Sequence, residues 1–236
     1  QMCIRDRIYL TSTGATNKNI MSYWTPGTAT TCSFVFRVNS ANKLELSYGQ
    51  GSTNTALTAS TQTVAANTWT HVAVTRSGST VRYFVNGVLD ATSPTLSGSL
   101  NSSTSVLWVG VQSTSDGGYF PGYMSNARFV KGVAVYSGTF TPPTLGQLET
   151  SGAASAASYP STTNVDTTFA SSATSLLTCR TPTTFVDNST NAFTMTAQGN
   201  PIASYISQRF AFYDFPWIFN GSGGTWTLQN TLSIGA

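Results

Sequence analysis

Eight acidic residues and one histidine carry nearly all the acid–base chemistry available to this 236-residue chain. Glu45 and Glu149 are the only glutamates, and no two acidic residues stand two positions apart. Hydrolysis of a glycosidic bond needs two carboxyl groups facing each other across that bond, roughly 5–10 Å apart. Glu45 falls on the solvent face of an alternating strand pattern, and Glu149 adjoins a hydroxyl-rich stretch, so neither has an evident partner. A Ser-His-Asp arrangement would have to use His71, the sole histidine. It lies within a strand pattern, on one face with Trp69 and Ala73, and reads as a packed structural side chain. Metal-binding histidines come in clusters. Cys3, Cys32 and Cys179 include no C-x-x-C pair. A Cys32–Cys179 disulfide is one reading and two isolated buried thiols the favoured one. The sequence therefore predicts no catalytic residues, no metal centre and no enzyme.

Binding chemistry is better represented. The loop Ser113–Tyr123 carries Asp116, Tyr119, Phe120 and Tyr123. Sugars stack on aromatic faces and hydrogen-bond through their hydroxyls, so these four residues form the candidate ligand-binding set. Tyr23 and Trp24 offer a second platform. Asp116, in a Gly-rich turn of a kind that can present carbonyls, is the one weak calcium candidate, although calcium wants six to eight oxygens. No other cofactor is expected.

These groups sit in a chain patterned for strands. Phe34, Phe36 and Val38 alternate with polar or smaller residues, as do Leu44, Leu46 and Tyr48, with turn residues Asn39–Asn42 between them. Residues 49–68 read as a loop with a short strand near Gln62–Val64. Residues 69–76 and 81–85 form a further strand pair. The second strand ends at Asn86-Gly87, a dipeptide suited to a two-residue type I′ turn. Val106–Gln112 and Tyr123–Val133 read as later strands. Residues 146–175 are small and hydroxylic and read as a linker or extended surface segment. No stretch shows sustained helical periodicity.

Thr (39) and Ser (31) dominate the composition, and only 8% of residues are charged. The charged share of globular domains is about 25%. Basic residues are scattered, so a nucleic-acid partner is not expected. No apolar run is long enough to span a membrane. Residues 1–7 (QMCIRDR) hold three charges in seven positions. They resemble a translated sequencing-adapter remnant and are expected to stand outside the fold.

The residues Trp69-Thr-His-Val-Ala-Val-Thr-Arg76, Phe84-Val-Asn-Gly87, Leu107–Gly110 and Gly122–Gly132 resemble the laminin-G-like, concanavalin-A-like jelly-roll domains. Tyr136 and Phe140-Thr-Pro-Pro143 match the closing pattern of that family. Coverage is roughly residues 8–145. The resemblance implies an all-β antiparallel sandwich of a kind common in bacteriophage and other viral structural proteins and in bacterial surface proteins. It implies a non-enzymatic structural or adhesive module of a virion or surface assembly, of phage tail, fibre or decoration type. The alternative is a lectin-like, carbohydrate-binding module of a secreted or surface protein, and a glycosidase is a distant third. Partners are then further copies or other proteins of the assembly, and cell-surface glycans; the location is a virion or the extracellular surface.

One departure from the family stands out. Its opening pattern appears near the end of this chain, as Leu176-Leu177, Asp187–Asn191, Gly199-Asn200 and Phe219–Gly223. Residues 176–236 therefore either open a second, partial β unit or fold back to complete the first. Phe210, Phe212, Tyr213, Phe215 and Trp217 form an aromatic run too apolar for water, read as an interface with another chain.

Overall fold

The computed structural model describes residues 1–202, apart from 15, 104–105, 114, 144–147, 182–183 and 199–200. The aromatic run at Phe210, Phe212, Tyr213, Phe215 and Trp217 lies outside the described residues, as does the rest of the segment beyond 202. Among the described residues, eleven strands form two antiparallel sheets packed as a sandwich. They are β1 (Met2–Leu10), β2 (Lys18–Tyr23), β3 (Phe34–Val38), β4 (Leu44–Gln50), β5 (Thr53–Ala56), β6 (Trp69–Ser77), β7 (Thr80–Val85), β8 (Val88–Leu89), β9 (Leu107–Val109), β10 (Gly122–Lys131) and β11 (Thr174–Thr178). One sheet has the order β11-β10-β1-β6-β7-β8, the other β5-β4-β3-β2-β9.

Period-2 alternation sends one set of side chains between the sheets. Ile4, Ile8 and Leu10 of β1, Val72 and Val74 of β6, Phe34 and Phe36 of β3, and Leu44 and Leu46 of β4 share that inner core. Tyr83 reaches across it, and its hydroxyl accepts a hydrogen bond from the Leu46 amide in the opposite sheet. The Asn86-Gly87 turn joins β7 to β8 with positive φ at both residues, 50° and 78°, as a type I′ turn requires. Glycine at 87 has a second cause. A Cβ there would meet the Phe140 carbonyl oxygen at 2.2 Å.

Several expectations are corrected. Residues 1–7 do not stand outside the fold. Met2–Leu10 is an interior strand, hydrogen-bonded to β10 on one side and β6 on the other. The pairing carries a cost, because Arg5 and Asp6 are fully buried. Asp6 accepts a 3.3 Å bond from the Ser125 amide at a bulge, and burial drives its pKa well up against the pull of Arg5 and its backbone donors. In the stretch read as loop, Thr53–Ala56 forms an edge strand, and Thr63 makes only an isolated bridge to Lys43.

Within the stretch 146–175, residues 148–175 pack as part of the fold rather than as a linker. They contain a short helix, α1 (Gly152–Ala156), and bury Leu148, Ser155, Tyr159 and Phe169. With Val135, Tyr136 and Phe140 these side chains cover the outer face of the six-stranded sheet, over Cys3, Ala73, Phe84 and Val130. Tyr136 and Phe140 stack at 3.9 Å, and the Tyr136 and Tyr159 hydroxyls meet at 2.7 Å. Arg128, fully buried, donates to the Glu149 carbonyl and to Ser155 Oγ and lies over the Phe169 ring. The absence of helical periodicity hid α1 because it is barely one turn of small residues, capped by Ser151 Oγ.

The chain then returns to the first sandwich. β11 pairs with β10, from Ala127 opposite Thr178 to Val130 opposite Thr174. Beyond it, Asp187 accepts hydrogen bonds from the amides of Leu177, Ser189 and Phe193 and from Ser189 Oγ.

A candidate glycan-contact rim

The aromatic residues of interest follow from strand register. Tyr9, Trp69 and Tyr123 lie opposite one another on the neighbouring strands β1, β6 and β10. Each alternates with inward residues, Ile8 and Leu10 in the case of Tyr9, so all three rings point to the outer face. Ring centroids are 5.7 Å apart from Tyr9 to Trp69 and 5.7 Å from Tyr9 to Tyr123. A Cβ on Gly122 would come within 1.9 Å of the Tyr9 carbonyl oxygen, so glycine lets β10 begin close against β1. Tyr123 is 37% exposed, and Tyr9 and Trp69 are half-buried.

The four residues singled out in the sequence are distributed as follows. Tyr119 is 58% exposed at the tip of its loop. Tyr123 joins the three-ring row. Phe120 instead turns inward and packs against the core between the sheets. Asp116 is exposed, its amide bonded to Ser113 Oγ and its carboxylate to the Gln112 side chain. The proposed second platform does not form as expected, because Tyr23 packs inward beside Phe34. Tyr9 and Trp69, absent from the sequence-derived set, are the additions. Their signal was cross-strand pairing, visible only once β1 is placed beside β6.

The loops around this rim are held by hydrogen bonds. The Pro121 carbonyl accepts from the Thr11 amide and hydroxyl, and the Gly118 carbonyl from the Asn19 amide and side chain. Lys18, only 2% exposed, places its ammonium among the Gly14 and Thr16 carbonyls at 3.0 Å and Asn42 Oδ1 at 3.2 Å. Its ammonium is thereby fixed at the start of β2, in the five-stranded sheet. Asp116 does not fit a calcium site. It is a lone carboxylate, and among the described residues no group of three or more His, Cys, Asp or Glu side chains converges.

Acid–base groups elsewhere are committed to local structure. Glu45 pairs with Arg37, and Glu149 with Arg180. Asp166 holds Thr168. Asp90 accepts from the Thr61, Gln62 and Thr92 amides and the Thr61 hydroxyl. Burial pushes the Asp90 pKa up, but those donors outweigh it and hold the group below its ordinary value. His71 is buried against Tyr136 and Phe140. Burial, then the Arg5, Arg7 and Arg128 charges, hold it well below its usual pKa and keep it neutral. The three cysteines are free thiols. Burial pushes Cys3 up to about 11 and Cys179 to about 12, so neither is a thiolate nucleophile at neutral pH.

Residues 4–143 match the family model of the concanavalin A-like lectin/glucanases superfamily. The chain belongs to that superfamily. Solved structures with a similar fold include a heptameric SAP-like pentraxin of Limulus polyphemus (18% identity, TM-score 0.40). Another is domain 4 of AbnA, a GH43 extracellular arabinanase of Geobacillus stearothermophilus, in complex with arabinotriose (16%, 0.41). A third is the LG4-5 pair of the mouse laminin α1 chain (15%, 0.40). Each match covers 54–55% of this chain, and 63%, 59% and 34% of the respective structures, so the chain spans less than two thirds of their lengths. At these identities no ligand or activity transfers to this superfamily member. No curated protein sequence matches it. Among its described residues, no helix is long and apolar enough to cross a membrane.

Proposed function

We propose that the chain is a non-enzymatic, lectin-like adhesive module that contacts glycans through its aromatic rim. The observation that carries this reading is the row of Trp69, Tyr9 and Tyr123 left partly exposed on a sheet face whose other half is covered. Aromatic rings at a wet surface gain little by packing against nothing. They gain by stacking on the apolar face of a sugar while the phenol and indole groups keep hydrogen-bonding capacity. Tyr119 stands free nearby to add a contact. A surface rich in hydroxyls and poor in charge suits a cell-surface or virion setting, which is the assembly in which the module would act. A glycan array probed with the full chain tests the reading. Binding is expected, and it is expected to fall in Tyr123→Ala. An array signal unaltered in both Tyr119→Ala and Tyr123→Ala would remove the rim from consideration.

A purely architectural role in a virion is the second reading, and the same low charge favours it. It predicts an assembly of copies in solution and no glycan signal.

A further inference from the structure

The geometry points to a more specific ligand, resting on the glycan-binding reading above: we propose that the rim takes a single soluble, neutral polysaccharide chain, with three consecutive sugars meeting Trp69, Tyr9 and Tyr123 in turn. Three features support this. The rings lie on three adjacent strands, one ring per strand, at equal 5.7 Å spacings. That repeat is set by strand spacing and is close to the advance of one sugar in an extended pyranose chain. A chain crossing the strands therefore meets a new ring with each unit.

Second, no two neighbouring rings are coplanar. Their planes differ by 60° between Tyr9 and Trp69 and by 56° between Tyr9 and Tyr123. A flat crystalline face, whose sugars all present the same plane, can lie against only one of these rings at a time. A free chain can turn between units and meet each ring in its own plane. The twist of the sheet adds to this rotation from strand to strand.

Third, the surroundings are hydroxyls and amides rather than a charge cluster. Thr11, Asn67 and Thr68 are exposed beside the row, and the Asn67 amide is fixed by the Leu10 carbonyl at 2.7 Å. No carboxylate lies within two sequence positions of any of the three rings, and Arg7 is the only charged side chain at that distance. A single half-buried arginine is not the basic patch that a polyanionic chain would need.

The test uses the full chain and calorimetric titration with xylo-, laminari- and cello-oligosaccharides of one to six units. Pull-down on microcrystalline cellulose and titration with polygalacturonate complete it. For at least one neutral series, affinity is expected to rise with length up to three units and then level off. Crystalline cellulose is expected not to retain the protein. In Tyr123→Ala the rise is expected to stop at two units, with trisaccharide binding weakened about fivefold to tenfold, the size of one aromatic contact. Because Tyr123 is partly exposed, this variant is expected to stay folded, which its melting temperature checks; Trp69→Phe provides a second change at the other end, one that keeps an aromatic ring in place. Equal affinity for one and three units, retention on crystalline cellulose, or preference for polygalacturonate would each overturn this assignment while leaving glycan binding intact. No binding to any of these probes or to the array would overturn both.

Discussion

The outer face of the six-stranded sheet has two halves built on the same strands, and they are finished in opposite ways. Over one half, Tyr136, Phe140, Tyr159 and Phe169 close on Cys3, Ala73, Phe84 and Val130, and water is excluded. Over the other, Trp69, Tyr9 and Tyr123 stand in a row with their rings partly in solvent. Both halves are aromatic. The difference lies in whether the chain itself supplies a cover, and residues 133–173 extend over only one of them. In the covered half aromatic area is converted into stability. In the bare half it remains available to something outside the molecule.

Substitutions should separate the two halves sharply. The largest effect is expected in the covered half. Phe84→Ala removes a fully buried ring and should cost about 3–5 kcal/mol, read as a shifted urea midpoint. Ser155→Ala comes next. Its hydroxyl accepts from Arg128 and from the Glu149 amide, and its loss leaves a buried guanidinium short of a partner, at about 1–3 kcal/mol. Acid should loosen the same region more gently, through His71. Its folded pKa lies below the unfolded value of 6.5, so the unfolded chain takes up a proton that the folded chain does not. This contribution is full above pH 6.5 and fades as the pH falls below it. Asp6, whose raised pKa acts in the opposite sense, is common to wild type and His71→Phe. The difference between their denaturation curves from pH 7 to pH 5 therefore isolates the histidine, and wild type should lose ground to the variant. The smallest effect on stability belongs to the bare half. Tyr123→Ala should change stability by about 0.5 kcal/mol or less while weakening trisaccharide binding about fivefold to tenfold. Dialysis against a chelator should alter neither property, since Asp116 is a lone carboxylate bonded to the Gln112 side chain.

The inner core was legible in the sequence because each of its strands carries its own alternation. Phe34-Val-Phe and Leu44-Glu-Leu report their faces without knowledge of a neighbour, and Asn86-Gly87 reports its turn. The covering layer was not legible. Tyr159 and Phe169 are separated by small and hydroxylic residues, so no local period marks them, and their burial depends on a sheet distant in sequence. The rim was half legible. Tyr119 and Tyr123 stand out in a Gly-rich loop, whereas Tyr9 and Trp69 acquire meaning only through register across β1 and β6. Phe120 was misread because a loop aromatic at the mouth of a sandwich has two ways to point, and composition does not choose between them. Residues 1–7 were misjudged on charge, although Met2 and Ile4 carry the inward alternation that β1 needs.

The Asp187 carboxylate sets how the sheet edge bears a load. Tension arriving from beyond residue 193 reaches the amides of Phe193, Ser189 and Leu177, all gathered on one side chain, before it reaches the ladder between β11 and β10. All of those bonds end on the one carboxylate. The edge strand is thereby anchored at its exit, as a rope is made fast at a cleat, and a pull along the chain meets a clasp before it can peel the sheet.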